Sequence, residues 1–357
     1  MLPLPAPPET ACILRLSAIG DTCHVVPLLR TLQQAWPRTR FTWIVGRVES
    51  RLVGLLPEVE FITLDKRAGF AGLRELRRRL AGRRFDLLLH LQLALRASAV
   101  AALVDARVKL GFDRPRAREL QWLFTNARIA ARRDEHVLGQ LPRLRRCARR
   151  ARARAALGPA AAAGCARLRA RRRARDARGG SARARTLVIS ACSSHAARNW
   201  RAERYAALAA HAVRRHGMRV VLAGGPAPVE RAMADAIRAA CEVPLADQVG
   251  KDTLPQLLAL LARASVLLTP DSGPAHMATM VGTPVIGLYA ATNPQRSGPY
   301  LSRQWCVDAY GRAARRYRGR EPQQLPWSAK IEEPGVMDLI TVEEVCERLD
   351  ALLASRP

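Results

Sequence analysis

Short apolar runs alternate with amphipathic segments along most of this chain, and this alternation constrains the fold more than any other feature. In the first half, the runs CILRL, FTWIV and DLLLHL predict strands. The segments HVVPLLRTLQQAW and FAGLRELRRRLAG stand between them and carry the i, i+3, i+4 apolar spacing of helices. A strand–helix–strand order predicts a parallel sheet with crossover helices.

The second half repeats the same order. TLVIS, RVVLAG, VLLTP and PVIGLY predict strands, and AERYAALAAHAVRRHG, VERAMADAIRAAC and TLPQLLALLARA predict helices. Thr253 and Thr341 stand where the N-caps of two helices are expected. The chain has 357 residues, which suits two domains of about 150 residues each. We therefore predict an α/β protein with two doubly wound parallel sheets.

The predicted domains are residues 1–142 and residues 186–335. Residues 336–357 end in a capped amphipathic helix, which we expect to pack back on the first domain. Residues 143–185 interrupt the pattern because they contain sixteen arginines, no lysine and a single acid, with almost no β-branched or aromatic residue. Three interpretations of this segment stay open: a solvated basic linker, an arm that binds nucleic acid or a membrane, and a stretch read out of frame in GC-rich DNA.

The charge and the cysteines bound the function. A formal net charge of +29 normally indicates an anionic partner, but about half of it lies in residues 143–185. That segment lacks the interleaved aromatic residues of nucleic-acid binders, so we expect no nucleic acid partner. The eight cysteines show no metal-ligand spacing, which predicts free thiols in a reducing cytoplasm. The chain shows neither a signal-peptide pattern nor an uninterrupted apolar run of membrane-spanning length, so we expect at most peripheral membrane contact.

A first candidate site follows the first predicted strand, in LRLSAIGDTCHVVP. Ligands of open α/β sheets bind at the carboxyl ends of strands, and a helix N-terminus favours anions. Gly20 allows a tight turn there, and Asp21 is either a cap of the next helix or a functional carboxylate. The GxGxxG fingerprint of dinucleotide binding is absent from this turn.

Two further candidate sites follow strands of the second half. In ISACSSHAARNW, Ser193 and Ser194 offer hydrogen bonds to a phosphate, and Arg198 offers a bidentate pair. The alternative for Arg198 is a solvated side chain. In LAGGPAPVERA, Glu230 stands in the first turn of a helix, where it either compensates the helix dipole or accepts hydrogen bonds from ribose hydroxyls.

The most specific run is VLLTPDSGPAHM. Asp271 ends a strand, and Ser272 and Gly273 open a helix whose first N–H groups are free to bind an anion. Small residues let a diphosphate approach that backbone. His276 lies one turn into the helix, where it either faces the same anion or packs in the core.

Together these motifs resemble the signature of the glycosyltransferase family that includes the bacterial lipopolysaccharide heptosyltransferases. The matching motifs are Asp271-Ser272-Gly273-Pro274-Ala275-His276, Gly282-Thr283-Pro284-Val285, Gly298-Pro299-Tyr300, Ile19-Gly20-Asp21 with Pro27, and Ser194 through Asn199-Trp200. The resemblance covers the chain from Cys12 to about Arg132 and from Thr186 to its end. It implies a GT-B architecture, in which two Rossmann-like domains face a cleft.

The resemblance also implies a reaction. The donor would be a nucleotide-activated sugar, typically ADP-heptose, held by the C-terminal domain, and the acceptor would be the inner core of lipopolysaccharide, held by the N-terminal domain. Asp21 would be the general base of an inverting transfer. Ser272, Gly273 and His276 would hold the donor diphosphate, and Asp271 would shape their loop. Glu230 would approach the donor ribose.

The excess of basic residues fits an anionic glycolipid acceptor at the cytoplasmic face of the inner membrane. Lys66, Arg96 and Arg114 are candidate contacts for this acceptor, and the alternative for each is a solvated surface side chain. No Asp-x-Asp is present to hold a divalent metal on the diphosphate, so we expect no metal cofactor. Arg198 stands where many family members have lysine, and residues 143–185 stand where the family has ordinary folded sequence. Two alternatives to this reaction therefore stay open. The chain uses a different donor or acceptor, or it is an inactive family member with a damaged reading frame.

Overall fold

The computed structural model describes residues 6–54, 56–114, 117, 119–129 and 185–355. These residues form two compact units, one on each side of residues 130–184. The predicted Arg/Ala-rich segment, residues 143–185, therefore lies outside the described residues except for Arg185. The same holds for the last part of the predicted first domain, residues 130–142.

The first unit is built on a six-stranded parallel sheet. Its strands are β1 (Thr10–Leu14), β2 (Arg40–Gly46), β3 (Val59–Leu64), β4 (Phe85–His90), β5 (Ala106–Gly111) and β6 (Ala127–Arg128). Its described α-helices are α1 (Ile19–Ala35), α2 (Arg47–Val53), α3 (Gly69–Leu80) and α4 (Leu95–Leu103). The order across the sheet is β3-β2-β1-β4-β5-β6, which is the Rossmann order.

The second unit repeats this order in a second six-stranded parallel sheet, β12-β11-β10-β7-β8-β9. Its strands are β7 (Thr186–Ile189), β8 (Arg219–Leu222), β9 (Leu245–Asp247), β10 (Val266–Pro270), β11 (Val285–Tyr289) and β12 (Val307–Asp308). Its described α-helices are α5 (Ala202–His216), α6 (Pro228–Ala239), α7 (Leu254–Arg263), α8 (Gly273–Val281), α9 (Pro294–Ser297), α10 (Tyr310–Arg318) and α11 (Val342–Ala354). The predicted α/β class with two doubly wound parallel sheets is confirmed.

The seven strands predicted from apolar runs are seven of the eight inner strands of the two sheets. Helices cover both faces of such strands, so their residues are buried on both sides and read as continuous apolar runs. In β1 the residues from Ala11 to Leu14 are all fully buried. The five strands that the sequence did not predict are the edge and near-edge strands β3, β5, β6, β9 and β12, which are short or alternate between exposed and buried residues.

Both predicted N-caps are confirmed. The Thr253 hydroxyl accepts a hydrogen bond from the Gln256 N–H at 3.4 Å, at the start of α7. The Thr341 hydroxyl accepts from the Glu344 N–H at 3.3 Å, at the start of α11. Each cap satisfies one of the free N–H groups that every helix start carries.

The contacts of α11 correct one expectation. Its buried residues Val345, Leu349 and Leu352 belong to the core of the second unit, and the helix packs against α5, β11 and β12. The prediction that this helix packs back on the first domain is therefore wrong for its apolar face. The physical reason is that the apolar residues of α11 are removed from water within the core of their own unit. Within the described part of the chain, no helix is both long enough and apolar enough to span a membrane.

Candidate active site

The carboxyl ends of β7 and β10 lie side by side in the middle of the second sheet, where the strand order reverses. Open α/β sheets bind their ligands at this switch point. The loop after β7 carries Ser193 and the loop after β10 carries Asp271. The Ser193 hydroxyl donates a hydrogen bond to the Asp271 carbonyl at 2.8 Å. The structure thus brings two of the predicted donor motifs into contact.

The loop after β7 is anchored on both sides. The Ser193 N–H donates to the Asn199 side-chain oxygen at 2.7 Å, which closes the loop on itself. Trp200 is buried, its indole N–H donates to the Ile340 carbonyl at 3.0 Å, and its ring meets Tyr205 edge-on at 5.2 Å. Ser194 is exposed at the tip of the loop. The predicted Ser193 and Ser194 therefore lie on a loop whose base is hydrogen-bonded and packed into the core.

The start of α8 has no side-chain cap. Ser272 is the N-cap residue, but its hydroxyl is hydrogen-bonded to the Thr269 hydroxyl at 2.7 Å and does not cap the helix. Gly273 opens the helix, so no side chain covers its first turn at that position. The first N–H groups of α8 and the positive end of its dipole are thereby left for an external acceptor. His276 lies one turn further on and is only 9% exposed, so its predicted contact with a diphosphate stays a prediction.

Arg198 is buried, so its interpretation as a solvated side chain is wrong. Its Nε donates to Glu332 Oε1 at 2.9 Å, its Nη2 lies 2.7 Å from the same oxygen, and its Nη1 lies 3.6 Å from Asp271 Oδ2. Partial burial of Glu332 would raise the pKa of this carboxyl, but the hydrogen bond and the charge of Arg198 outweigh that effect and lower it. Glu332 was not predicted from the sequence. It stands 134 residues from Arg198, and nothing in its local sequence marks it.

A buried tyrosine lies beside this ion-pair network. The Tyr289 hydroxyl is buried and has no hydrogen-bond partner within the described residues. Its pKa lies well above the usual value because it is buried, and because the negative charge of Asp271 adds to that effect. Asp271 also accepts a hydrogen bond from the Ser297 hydroxyl at 3.4 Å.

Glu230 lies at the next loop along the sheet, after β8. The Gly225 N–H donates to its Oε2 at 2.6 Å. A Cβ at Gly224 would lie 2.5 Å from the same oxygen, and a Cβ at Gly225 would lie 2.8 Å from Oε1. A side chain at either glycine would therefore displace this carboxylate from its position.

A small pocket, partly open to solvent, lies beside Glu230. Its lining is mostly apolar and consists of Ile189, Ala191, Cys192, Leu222, Ala223, Gly224, Glu230, Ala234, Ile237 and Val249. Burial raises the pKa of the Cys192 thiol to about 11, and the charge of Glu230 adds to the shift. The pocket thus combines an apolar wall with one carboxylate at its edge.

The first unit has a corresponding switch point between β1 and β4. Asp21 stands there in the first turn of α1, where its Oδ2 accepts from the Ala18 N–H at 3.4 Å and pairs with the Arg15 guanidinium. Its Oδ1 has no partner within the described residues. Asp21 can therefore both cap the helix and act as a functional carboxylate, because Oδ2 accepts the hydrogen bond at the helix start and Oδ1 can bind a ligand.

Arg15 and Gln92 support this turn and were not predicted as site residues. The Arg15 guanidinium donates to the carbonyls of Ser17, at 2.7 Å, and Leu91. The Gln92 side chain accepts from the Leu16 N–H at 2.7 Å and donates to the Ser17 hydroxyl at 3.2 Å. An arginine inside the otherwise apolar run CILRL was the sequence signal that could have found Arg15.

The three predicted acceptor contacts follow different strands of the first sheet. The Lys66 ammonium lies 2.9 Å from Glu49 Oε1 and donates to the Leu16 carbonyl at 3.2 Å, so it neutralises a buried carboxylate. Arg96 is exposed in the first turn of α4. Arg114 is exposed after β5, with its guanidinium 5.3 Å from the centre of the Trp122 ring. The topology places all three at the carboxyl edge that carries Asp21.

A Rossmann-like sheet with an anion-accepting helix start at its switch point is typical of nucleotide-binding proteins. The profile of glycosyltransferase family 9 (heptosyltransferase) matches residues 73–325 of this chain. The chain is also 36% identical over 353 residues to the lipopolysaccharide core heptosyltransferase OpsX of Haemophilus influenzae, covering 97% of both sequences. The chain therefore belongs to glycosyltransferase family 9, and it is a glycosyltransferase.

Solved structures agree on the fold. E. coli heptosyltransferase WaaC with ADP matches with a TM-score of 0.72 and 19% identity, over 96% of this chain and 99% of WaaC. A family 9 glycosyl transferase from Veillonella parvula DSM 2008 matches with a TM-score of 0.72 and 20% identity, over 97% of each chain. At these identities the likeness concerns the fold alone.

Proposed function

We propose that this chain transfers a heptose from ADP-heptose to the inner core of lipopolysaccharide, with inversion at the anomeric carbon. The observation that carries the proposal is the meeting of the Ser193 loop, buried Arg198 and the start of α8 at one switch point. It is supported by the 36% identity with a lipopolysaccharide core heptosyltransferase over nearly the full length of both chains.

The acceptor hydroxyl would be activated by Asp21. As the hydroxyl oxygen forms its bond to the anomeric carbon, the Asp21 carboxylate takes the proton and the bond between that carbon and the donor phosphate breaks. The ion pair with Arg15 holds Oδ2 in place, which leaves Oδ1 to receive the proton. Anchoring one oxygen fixes the orientation of the other, and fixed orientation is a large part of what positioned groups contribute to catalysis.

The leaving ADP gains negative charge as the bond breaks, and fixed donors at the end of β10 would stabilise it. The N–H groups at the start of α8, with Ser272 and Gly273, face the diphosphate in this proposal. Arg198 adds positive charge, while Ser193, Ser194 and His276 supply hydrogen bonds, and Asp271 shapes the loop. Arg198 is already paired with Glu332 and Asp271, so the N–H groups at the start of α8 would supply most of the stabilisation, and we propose that the transfer needs no metal cofactor.

The nucleoside would bind at the opening of the small pocket beside Glu230, with the ribose next to the carboxylate. Its apolar wall suits a flat base, and the Glu230 carboxylate is placed to accept hydrogen bonds from ribose hydroxyls. Ribose has two adjacent hydroxyls, so a carboxylate with two oxygens is a fitting partner.

The acceptor would approach the first unit, with Arg96, Arg114 and Lys66 as contacts for its negative charges. The basic helix α3 supports a position at the cytoplasmic face of an anionic membrane. Phe70 in its first turn is 86% exposed, and Arg74 and Arg77 are exposed on the same helix. An exposed aromatic ring flanked by basic residues is typical of surfaces that dock on anionic lipid.

The test uses the purified full chain with ADP-heptose and lipopolysaccharide whose inner core lacks heptose. We expect acceptor mass to rise by one heptose as ADP is released. Asp21→Asn should abolish transfer while leaving ADP binding intact, and Asp105→Asn, at an exposed aspartate outside the site, should behave as wild type. Transfer from UDP-glucose or GDP-mannose instead would agree with the family assignment but refute ADP-heptose as the donor. No transfer from any of these donors would indicate an inactive chain.

A further inference from the structure

Three potential metal ligands converge in the second unit, away from the candidate active site. His211 Nε2 lies 2.8 Å from Asp350 Oδ1, and His216 Nε2 lies 2.6 Å from the same oxygen. One ligand atom from each of the three residues lies within 4.8 Å of the other two. Within the described residues this is the one such group of three or more histidine, cysteine or acidic side chains.

The fold brings these residues together from two helices. His211 and His216 lie in the last turns of α5, and Asp350 lies near the end of α11, which packs against α5. Arg215 approaches the opposite carboxylate oxygen, with its Nε 3.3 Å from Asp350 Oδ2. The arginine charge therefore sits on one side of the carboxylate, and both imidazoles face the other side.

The group stands at the edge of the sheet opposite to the donor site. In a parallel α/β unit a crossover helix runs back from the carboxyl ends of the strands to their amino ends. The start of α5 follows the Ser193 loop, and its 15 residues carry the chain about 20 Å away before His216 is reached.

We propose that His211, His216 and Asp350 form a binding site for a divalent transition-metal ion of the zinc class. Two imidazole nitrogens and one carboxylate are a ligand set that Zn²⁺, Co²⁺ and Ni²⁺ accept, with water completing the coordination. Ligand atoms around Zn²⁺ lie about 2.0–2.2 Å from the ion, so the three must move apart slightly from their hydrogen-bonded distances. The side chains are half-buried, which gives them room to rotate and gives the ion access.

The bound ion would join α11 to α5. A ligand that binds only the folded state stabilises it, so the metal is expected to raise the unfolding temperature of the second unit. The ion would lie too far from the donor site to take part in sugar transfer. Metal binding at this site therefore does not depend on the proposed function.

The experiment uses the full chain without an affinity tag, stripped with EDTA and exchanged into metal-free buffer. Zn²⁺ binding is measured by calorimetry, and Co²⁺ binding by visible absorption, in wild type, His211→Gln, Asp350→Asn and Glu347→Gln. We expect one ion per chain in wild type and in Glu347→Gln, an exposed acid on the same helix. Each ligand variant should lose more than the roughly 10- to 100-fold in affinity that loss of a mere supporting partner costs.

The Co²⁺ spectrum and a cysteine variant distinguish binding at this site from binding by cysteine thiols. The Co²⁺ spectrum should show nitrogen and oxygen ligation without a thiolate charge-transfer band, and Cys346→Ser should bind like wild type. Circular dichroism of metal-free Asp350→Asn, which keeps the side-chain shape, shows that this variant is folded. Absence of stoichiometric binding in wild type, or equal binding by wild type and both ligand variants, would overturn the proposal.

Discussion

The glycine pair before Glu230 offers a test in which geometry sets the expected effect. Gly224→Ala adds a methyl group whose carbon would lie 2.5 Å from Glu230 Oε2 and 3.6 Å from its carboxyl carbon. Real carbon and oxygen atoms do not approach so closely, so the carboxylate must leave its position. We therefore expect Gly224→Ala to weaken ADP binding to the same degree as Glu230→Gln, although it leaves the carboxylate in the chain.

The magnitude follows from the hydrogen bonds at stake. A hydrogen bond to a charged group contributes about 1.5–3 kcal/mol, which corresponds to roughly ten- to 150-fold in the dissociation constant of ADP. Titration calorimetry with ADP measures this directly. Gly311→Ala is the matched control, because a Cβ there meets nothing closer than 3.6 Å.

A double-mutant cycle identifies the cause. In a Glu230→Ala background the methyl group of Gly224→Ala no longer meets a carboxylate, so it should cost little further affinity. Wild-type ADP affinity in Glu230→Gln would refute the ribose contact. A full additional loss in the double variant would instead show that the glycine matters by its own close approach to the ligand.

Three further predictions concern the metal, the core and a buried histidine. Transfer by EDTA-treated chain should proceed at the untreated rate, and activity lost in EDTA and restored by magnesium would contradict the metal-free mechanism. Leu349 is fully buried on α11. Leu349→Ala should lower the free energy of unfolding of the second unit by about 2–5 kcal/mol, as measured by urea titration. A change under about 1 kcal/mol would contradict the packing of this helix in the core. Burial, with the charges of Arg15 and Lys109, lowers the pKa of His90 from 6.5 to about 4, so the unfolded chain takes up a proton before the folded one. The free energy of unfolding of the first unit should therefore fall by up to about 3 kcal/mol between pH 6.5 and pH 4, as measured by hydrogen exchange in β1 and β4. His90→Gln should make this stability less dependent on pH. Equal pH slopes in wild type and His90→Gln would contradict the lowered pKa of His90.

The local pattern of the sequence determined the class of fold and most of the candidate site. The inner strands, such as β1, are continuous apolar runs because helices cover both of their faces, and caps such as Thr253 act within one turn of their own helix. The motif around Asp271 was also readable, because a helix start that binds an anion needs small residues at consecutive positions. In each case the physical cause lies within a few residues of its effect.

Only the tertiary structure decided the contacts between distant segments. The partner of Arg198 is Glu332, 134 residues further along the chain, and the Gln92 side chain donates to the Ser17 hydroxyl from 75 residues away. The apolar face of α11 was readable, but its packing on α5 depends on which helix leaves a complementary surface. Such partners are chosen by the free energy of burying and neutralising groups in three dimensions, and one-dimensional spacing carries no record of that choice.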